Sequence, residues 1–285
     1  MEIKASQVKE LRDMSGVAMM ECKRALVDCE GDIQKALDLL RSNSALKAEK
    51  KASRVAADGI LRAFSGKNYS TLIEINSETD FASKDANFLG FANNVEEFIS
   101  QNKLLNISEI QESEIEEKRK SLVQTIGENI QLRRLETIEY DAEMNAGMYM
   151  HSDSKLASVV VVSGGDESLA KDIAMHVAAF NPLCLSQDDL DSEILEREKA
   201  IYMVQAEESG KPKEIMEKMI EGKLKRYLSE VSLLSQSFVK DPDLTIKQLL
   251  EKNDATIQSY SRLKVGEGIE VETKNFADEV AEQLK

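Results

Sequence analysis

The 285 residues contain no tryptophan and only three prolines. With alanine, leucine, glutamate and lysine abundant, that scarcity favours helix. Three cysteines, Cys22, Cys29 and Cys184, are too sparse and uneven a set for a disulfide framework; they predict reduced thiols and a cytoplasmic address. The two histidines, His151 and His176, have no cysteine or carboxylate cluster at metal-ligand spacing, so no metal site is expected. His176 lies on an apolar helical stripe, where a satisfied core histidine is the commoner outcome. No run is long enough to cross a bilayer, and the N-terminus lacks an apolar core of signal-peptide length. Excess positive charge is missing too. A formal charge of −15 argues against broad nucleic-acid or membrane-surface binding and suits a soluble protein with protein partners.

Catalytic patterns are equally scarce. Gly210-Lys211 lacks the upstream glycine of a phosphate loop, and Pro212 replaces its hydroxyl residue. Gly266-Glu267-Gly268 lacks the third glycine of a dinucleotide fingerprint, and Cys22 has no base beside it. A protein without an active site or cofactor of its own, acting on a partner, is the expectation.

What is present organises the chain as α+β. Val8, Leu11 and Met14 space one helix, Met19 to Leu26 a second, and Ile33, Ala36, Leu37 and Leu40 a third behind the N-cap Asp32. This three-helix unit, with a basic helical connector carrying Lys47, Lys50, Lys51 and Arg54, fills 1–54. Neighbouring residues on a helix cannot both face one core, so one of Met19 and Met20 is expected in solvent. Residues 55–140 read as a core subdomain: a hairpin over Ile60 to Asn76, a helix from Ala86 to Ser100, a charged helix from Ile110 to Ile126, and a strand from Gln131 to Glu139. Residues 141–182 repeat the strand–strand–helix pattern, and 230–264 complete that second subdomain, with 230–240 extended. Between them, 183–229 form a charged helical hairpin with narrow apolar seams, a coiled-coil arm. Phe276, Val280 and Leu284 space a C-terminal helix in 265–285.

The stretch that commands attention is Glu74 to Lys84. Tyr69, Thr71, Ile73 and Ile75 alternate with Ser70, Leu72, Glu74 and Asn76, which predicts a half-buried strand. A short polar turn with Thr79, Asp80 and Phe81 then leads to a helix. Two readings stand: the turn presents Phe81 to a partner, or Thr79 or Asp80 caps the helix while Phe81 packs onto Phe88.

Thr79-Asp80-Phe81 with Lys84 resembles a signature of bacterial elongation factor Ts, with Ala82 where valine is usual. The run Leu11 to Leu26 is similar to the family's first signature. Ala56-Ala57-Asp58-Gly59, Ile126-Gly127-Glu128-Asn129-Ile130 with Arg133-Arg134, Gly210-Lys211-Pro212 and Val265-Gly266-Glu267-Gly268 also resemble it, in the same order along the chain. The resemblance implies a guanine-nucleotide exchange factor for elongation factor Tu in translation. It implies that Phe81 wedges between helices of the partner, with Thr79, Asp80 and Ala82 beside it near the magnesium site. Met19, Met20 and Lys23 would touch the GTPase domain; Ile126, His151 and Val239 would make further contacts. The arm would pair two complexes in some members. The competing expectations are an adaptor whose bundle resembles a ubiquitin-associated domain, and an RNA-binding protein using residues 47–54.

Overall fold

A computed structural model describes residues 3–270. The expected C-terminal helix, with Phe276, Val280 and Leu284, lies outside the described residues.

Helices α1 (Ala5–Ser15), α2 (Met19–Asp28) and the first half of α3 (Ile33–Lys51) enclose Val8, Leu11, Val17, Cys22, Leu26, Ala36 and Leu40. Gly16, at φ 68°, ends α1 in the left-handed region where glycine is unstrained. Asp32 caps α3 by accepting from the Lys35 N–H at 3.0 Å. The expected basic connector is helical as far as Lys51, as an unbroken continuation of α3. Its second half buries Ser44 and Ala48 and packs on α7 (Glu114–Ile126). Its basic run is partly consumed inside the fold: Lys47 Nζ meets Glu21 at 2.5 Å, and Lys51 Nζ donates to the Gly127 carbonyl.

Strands β1 (Asp58–Gly66), β2 (Tyr69–Ser77) and β3 (Gln131–Glu139) form an antiparallel sheet in the order β1-β2-β3. Between β2 and β3 lie α4 (Asp80–Ser83), α5 (Ala86–Asn102), α6 (Ile107–Gln111) and α7. The single charged helix expected over Ile110 to Ile126 is thus two. Ser113 breaks it and caps α7, accepting from the Ile115 N–H at 3.2 Å.

The second unit repeats this plan. Strands β4 (Asn145–Met150) and β5 (Leu156–Ser163) precede α8 (Glu167–Phe180), and β8 (Thr256–Lys264) returns to give the order β4-β5-β8. Both central strands change register near their ends, at Glu74/Ile75 and at Val161/Val162. Helices α9 (Ser192–Glu208) and α10 (Lys213–Val231) are inserted after α8 and double back on one another; Ala206 is their only buried residue. The predicted extended segment from Glu230 is corrected. Helix α10 continues to Val231, Leu233 is buried in a short 3-10 turn, and only Ser237–Phe238 (β6) pairs with Asp241–Thr245 (β7). Helix α11 (Ile246–Lys252) follows, with Thr245 and Gln248 as a reciprocal capping box.

The two sheets meet through Leu61, Leu72, Ala157, Val159, Val161 and Leu263. Strand β2 is therefore buried on both faces, and the half-buried expectation fails. Ile73 and Ile75 pack under α5 and α7, while Leu72 faces the other sheet. Glu74, also fully buried, is ionically satisfied. Arg133 Nη1 lies 3.0 and 3.1 Å from its two oxygens, Arg134 Nε 2.5 Å, Asn76 Nδ2 2.9 Å and the Gly266 N–H 2.8 Å. This joins the first sheet to the end of β8.

Candidate functional site: a clamped turn presenting Phe81

Strand β2 ends at Ser77, and one helical turn, α4, fills the gap before Asp85 caps α5. Four residues cannot sustain a helix alone, so the geometry of α4 is imposed from outside. Thr79 is its cap: Oγ1 accepts from the Ala82 N–H at 3.3 Å. The same hydroxyl donates to Glu128 Oε1 at 2.7 Å, and the Thr79 N–H donates to Glu128 Oε2 at 2.9 Å. Ser77 Oγ donates to the Thr79 carbonyl at 2.9 Å. Next door, Glu78 Oε1 accepts from the Asn129 N–H at 2.6 Å.

This frame points one ring outward. Phe81 is 81 % exposed, the most exposed large apolar side chain among the described residues, while Phe88 is fully buried. The packing reading of the turn fails in both halves: Thr79 caps only the single turn α4, the helix that carries Phe88 is capped by Asp85, and Phe81 does not pack onto Phe88. Ala82 is buried beneath the turn and supports it from inside. Asp80 stands beside the ring, paired to Lys84 at 2.7 Å. That bond, with the charges of Lys84 and Lys155, holds the Asp80 carboxyl below the usual carboxylate range. Asp80 is therefore ionised at neutral pH.

The turn is also tied to the second unit. Ser83 Oγ lies 3.5 Å from Asp58 Oδ1, and Lys155 Nζ lies 3.0 and 2.9 Å from the two Asp58 oxygens. Lys155 belongs to the loop that carries His151, and His151 Nδ1 sits 2.9 Å from Asp153 Oδ1. The Leu61 N–H donates to the Ser154 carbonyl at 2.7 Å, so this loop is sewn to β1 as well.

The other predicted contact residues fall as follows. Met19 and Met20 are both exposed, at 47 % and 62 %, so the exposure expected of one holds for both, and Val17 and Cys22 fill the bundle. Lys23 is exposed and Ile126 is half-buried against the first core. His151 is exposed. Val239 is 37 % exposed and belongs to a different cluster, where its N–H donates to His176 Nδ1 at 3.2 Å. Because Nδ1 accepts, the proton of neutral His176 is on Nε2, which donates to Gln236 Oε1 at 2.9 Å. Burial pushes the His176 pKa down, and the Gln236 bond only partly opposes this. His176 is thus a satisfied core residue, stacked on Phe180 at 4.6 Å, and it holds the backbone of Val239.

A cleft of about 660 Å³ opens at the opposite end of β1 and β2, among Lys67, Tyr69, Lys103, Tyr140 and Asp141. It is far along the strands from Phe81. Among the described residues no group of three or more His, Cys, Asp or Glu is placed to hold a metal ion, and no helix is long and apolar enough to cross a membrane. Sequence reasoning missed Glu128, Asp58 and Lys155 as parts of the site. Glu128 and Asp58 stood in runs already singled out, but bonds spanning 49 and 97 residues leave no periodic signal.

A mixed helix-and-sheet protein that displays an aromatic ring on a braced turn is a contact-making class of molecule. Comparison with known proteins makes the assignment specific. The family model for elongation factor TS matches residues 78–267, which include the turn. An elongation factor Ts from Hahella chejuensis is 48 % identical over 285 residues, covering 99 % of both chains. One from Thioalkalivibrio sulfidiphilus is 44 % identical over 292 residues, covering 100 % of this chain and 99 % of its own. One from Francisella tularensis subsp. novicida is 46 % identical, covering 99 % of each. The chain belongs to the elongation factor Ts family, and its role lies in translation elongation.

Proposed function

We propose that this chain is a guanine-nucleotide exchange factor for elongation factor Tu, and that Phe81 is the residue it inserts. The observation that carries the reading is an 81 % exposed phenylalanine on a turn braced at the N–H, hydroxyl and carbonyl of its cap. A ring left in water on rigid backbone is suited to filling a partner's apolar gap, since little order remains to be lost on docking.

The mechanism follows from magnesium chemistry in the partner. Mg²⁺ requires near-ideal octahedral geometry, so a small displacement of its ligands weakens it. Without that charge the β-phosphate of GDP is poorly compensated, and nucleotide leaves faster. Asp80, ionised and adjacent to the ring, adds negative charge at the same place. Linkage requires that bound nucleotide weaken this protein's grip by the same factor. Exchange is thus catalysed without an active site or cofactor in this chain.

The remaining contacts are assigned as follows. Met19, Met20 and Lys23 of a bundle of ubiquitin-associated type, within 1–54, meet the GTPase domain. Ile126 and His151 meet other surfaces of the same partner, and Val239 adds a contact from the second subdomain. The chain divides into core subdomain 55–140, a second subdomain made of 141–182 and 230–264, an arm at 183–229 that pairs two complexes as a coiled coil, and a C-terminal module at 265–285. Translation of this kind places the protein in the cytoplasm. The adaptor reading is weaker because a scaffold needs neither an exposed Phe81 nor its bracing.

Release of a fluorescent GDP from elongation factor Tu decides between them. Acceleration by the wild type that falls sharply with Phe81→Ala, in a variant of unchanged fold, supports the wedge. Acceleration that survives the change moves the activity to the other contacts. No acceleration by the wild type overturns the exchange reading.

A further inference from the structure

We propose that Glu128 is the positioning residue of the Phe81 turn, and that its two-pronged grip on Thr79 converts binding into nucleotide release. The proposal rests on the exchange reading for its second half only.

The argument starts from donors. Thr79 has two at the head of α4, its N–H and its hydroxyl, and both point at one carboxylate, at 2.9 and 2.7 Å. Hydrogen bonds to an ionised acceptor are roughly twice as strong as neutral ones. Two such bonds to different oxygens fix the rotation of the cap as well as its position. Since the Thr79 hydroxyl proton is committed to Glu128, its lone pair is left aimed at the Ala82 N–H, so Glu128 also orients the cap bond. Phe81 lies inside the single turn that this cap defines.

Glu128 can act as an anchor because its neighbours are themselves held. Gly127 ends α7 with φ 87°, and its carbonyl receives Lys51 Nζ. Asn129 is buried; its N–H goes to Glu78, and its side-chain amide donates to the carbonyls of Ala52 and Arg54 at 3.3 and 2.8 Å. Residues 127–129 therefore join three things: the end of α7, the exit of α3 from the N-terminal bundle, and the Phe81 turn. Glu128 is the member of this knot whose side chain, among the described residues, hydrogen-bonds only to the turn. Its loss should leave the fold in place and free the ring.

The absence of tryptophan supplies the reporter. Phe81→Trp places a single indole at the tip of the turn in the full chain. Its fluorescence anisotropy decay is compared in three backgrounds: Glu128, Glu128→Gln and Glu128→Ala. A glutamine keeps one acceptor oxygen and so can satisfy one of the two donors. The expected result is a fast local component that is small with Glu128, intermediate with glutamine and large with alanine, at unchanged thermal midpoint and far-ultraviolet dichroism. In parallel, with Phe81 intact, GDP release from elongation factor Tu is titrated. The maximal rate at saturation should fall about tenfold in Glu128→Ala, the order expected when a preorganised group is left to find its place, with a smaller change in the half-saturating concentration. Glutamine should recover part of the rate.

An indole equally rigid in all three backgrounds overturns the positioning role, whatever the partner. A freed indole with an unchanged maximal rate overturns the link to exchange. If the wild type fails to release GDP, the exchange reading falls, and the anisotropy series still decides whether Glu128 holds the turn. Should Glu128→Ala lower the thermal midpoint substantially, the glutamine variant carries the test alone.

Discussion

Lys155 Nζ lies 2.9 and 3.0 Å from the two carboxylate oxygens of Asp58, and so bridges the loop of the second sheet to the first residue of β1. Asp58 is also within 3.5 Å of Ser83, the last residue of α4. The pair thereby sets the spacing between the Phe81 turn and the His151 loop, two surfaces otherwise carried by different subdomains. Both side chains are partly solvated, and such pairs contribute little to global stability. Lys155→Met is expected to change unfolding free energy by less than about 1 kcal/mol. It should also speed amide exchange at residues 153–155 and at Leu61 several-fold. Hydrogen exchange with mass detection checks this; protection unchanged at those amides would show that the pair sets nothing.

Glu74 should be a costly buried residue to alter. It is fully buried and receives bonds from Arg133, Arg134, Asn76 and the Gly266 N–H. Burial alone would raise its pKa, but the Gly266, Asn76 and Arg134 interactions outweigh that and hold it below the ordinary 4.5. The sign is therefore that of a depressed carboxyl. Its contribution is fully present above the unfolded value and is lost as pH falls below 4.5 through the folded value. Glu74→Ala should destabilise by about 2–3 kcal/mol, since both arginines retain some solvent. Denaturant titrations at neutral and acid pH should find Glu74→Gln less acid-dependent than the wild type.

His176 gives a second pH effect of the same direction by a different route. Burial depresses a base, so the neutral ring is favoured in the fold. Stability is complete above the ordinary value of 6.5 and declines as pH falls from there toward the folded value, because the unfolded chain takes up the proton first. Nitrogen chemical shifts should show Nε2 protonated and Nδ1 bare at neutral pH. His176→Gln should flatten the stability profile below pH 6.5 and loosen the Val239 amide.

Gly147 marks where β4 passes closest to α8. A Cβ there would lie 2.0 Å from the Lys171 nitrogen and 2.2 Å from the Ala170 carbonyl carbon, and backbone cannot step aside. Gly147→Ala is expected to cost about 2–3 kcal/mol, at the upper end of overpacking effects. The denaturant midpoint measures it; a shift within error would mean the strand and helix can part freely.

Local chemistry made much of this fold legible in advance. Strand β3 begins and ends at the expected Gln131 and Glu139, and Asp32, at the head of α3, shows its capping role in sequence. What escaped were features set by distant partners. Strand β2 reads as half-buried because Ser70, Glu74 and Asn76 are polar. They are nonetheless enclosed: Ser70 bonds to Tyr140, Glu74 to Arg133 and Arg134, and the Asn76 amide nitrogen donates to the Asp58 carbonyl, while Asn76 Oδ1 has no partner among the described residues. The exposed ring of Phe81 was visible as a candidate, since its neighbours are polar. The carboxylate that braces it was not, because nothing near Thr79 in the chain distinguishes a hydroxyl bonded to water from one bonded to Glu128. For methionines 19 and 20, helical phase shows that two neighbours cannot share a core, so one exposed side chain is legible; that neither enters the core is not.

Burying a phenylalanine contributes roughly 1.5–3 kcal/mol. Phe81 withholds nearly all of that from folding, so the same increment is open to association, where each 1.4 kcal/mol is tenfold in affinity. Substitutions at this position are therefore nearly invisible to fold quality control in the cell. On the exchange reading proposed above, selection on Phe81 acts through recognition, whereas selection on Glu74 acts through stability, and the two can drift or be engineered independently within one strand and its turn.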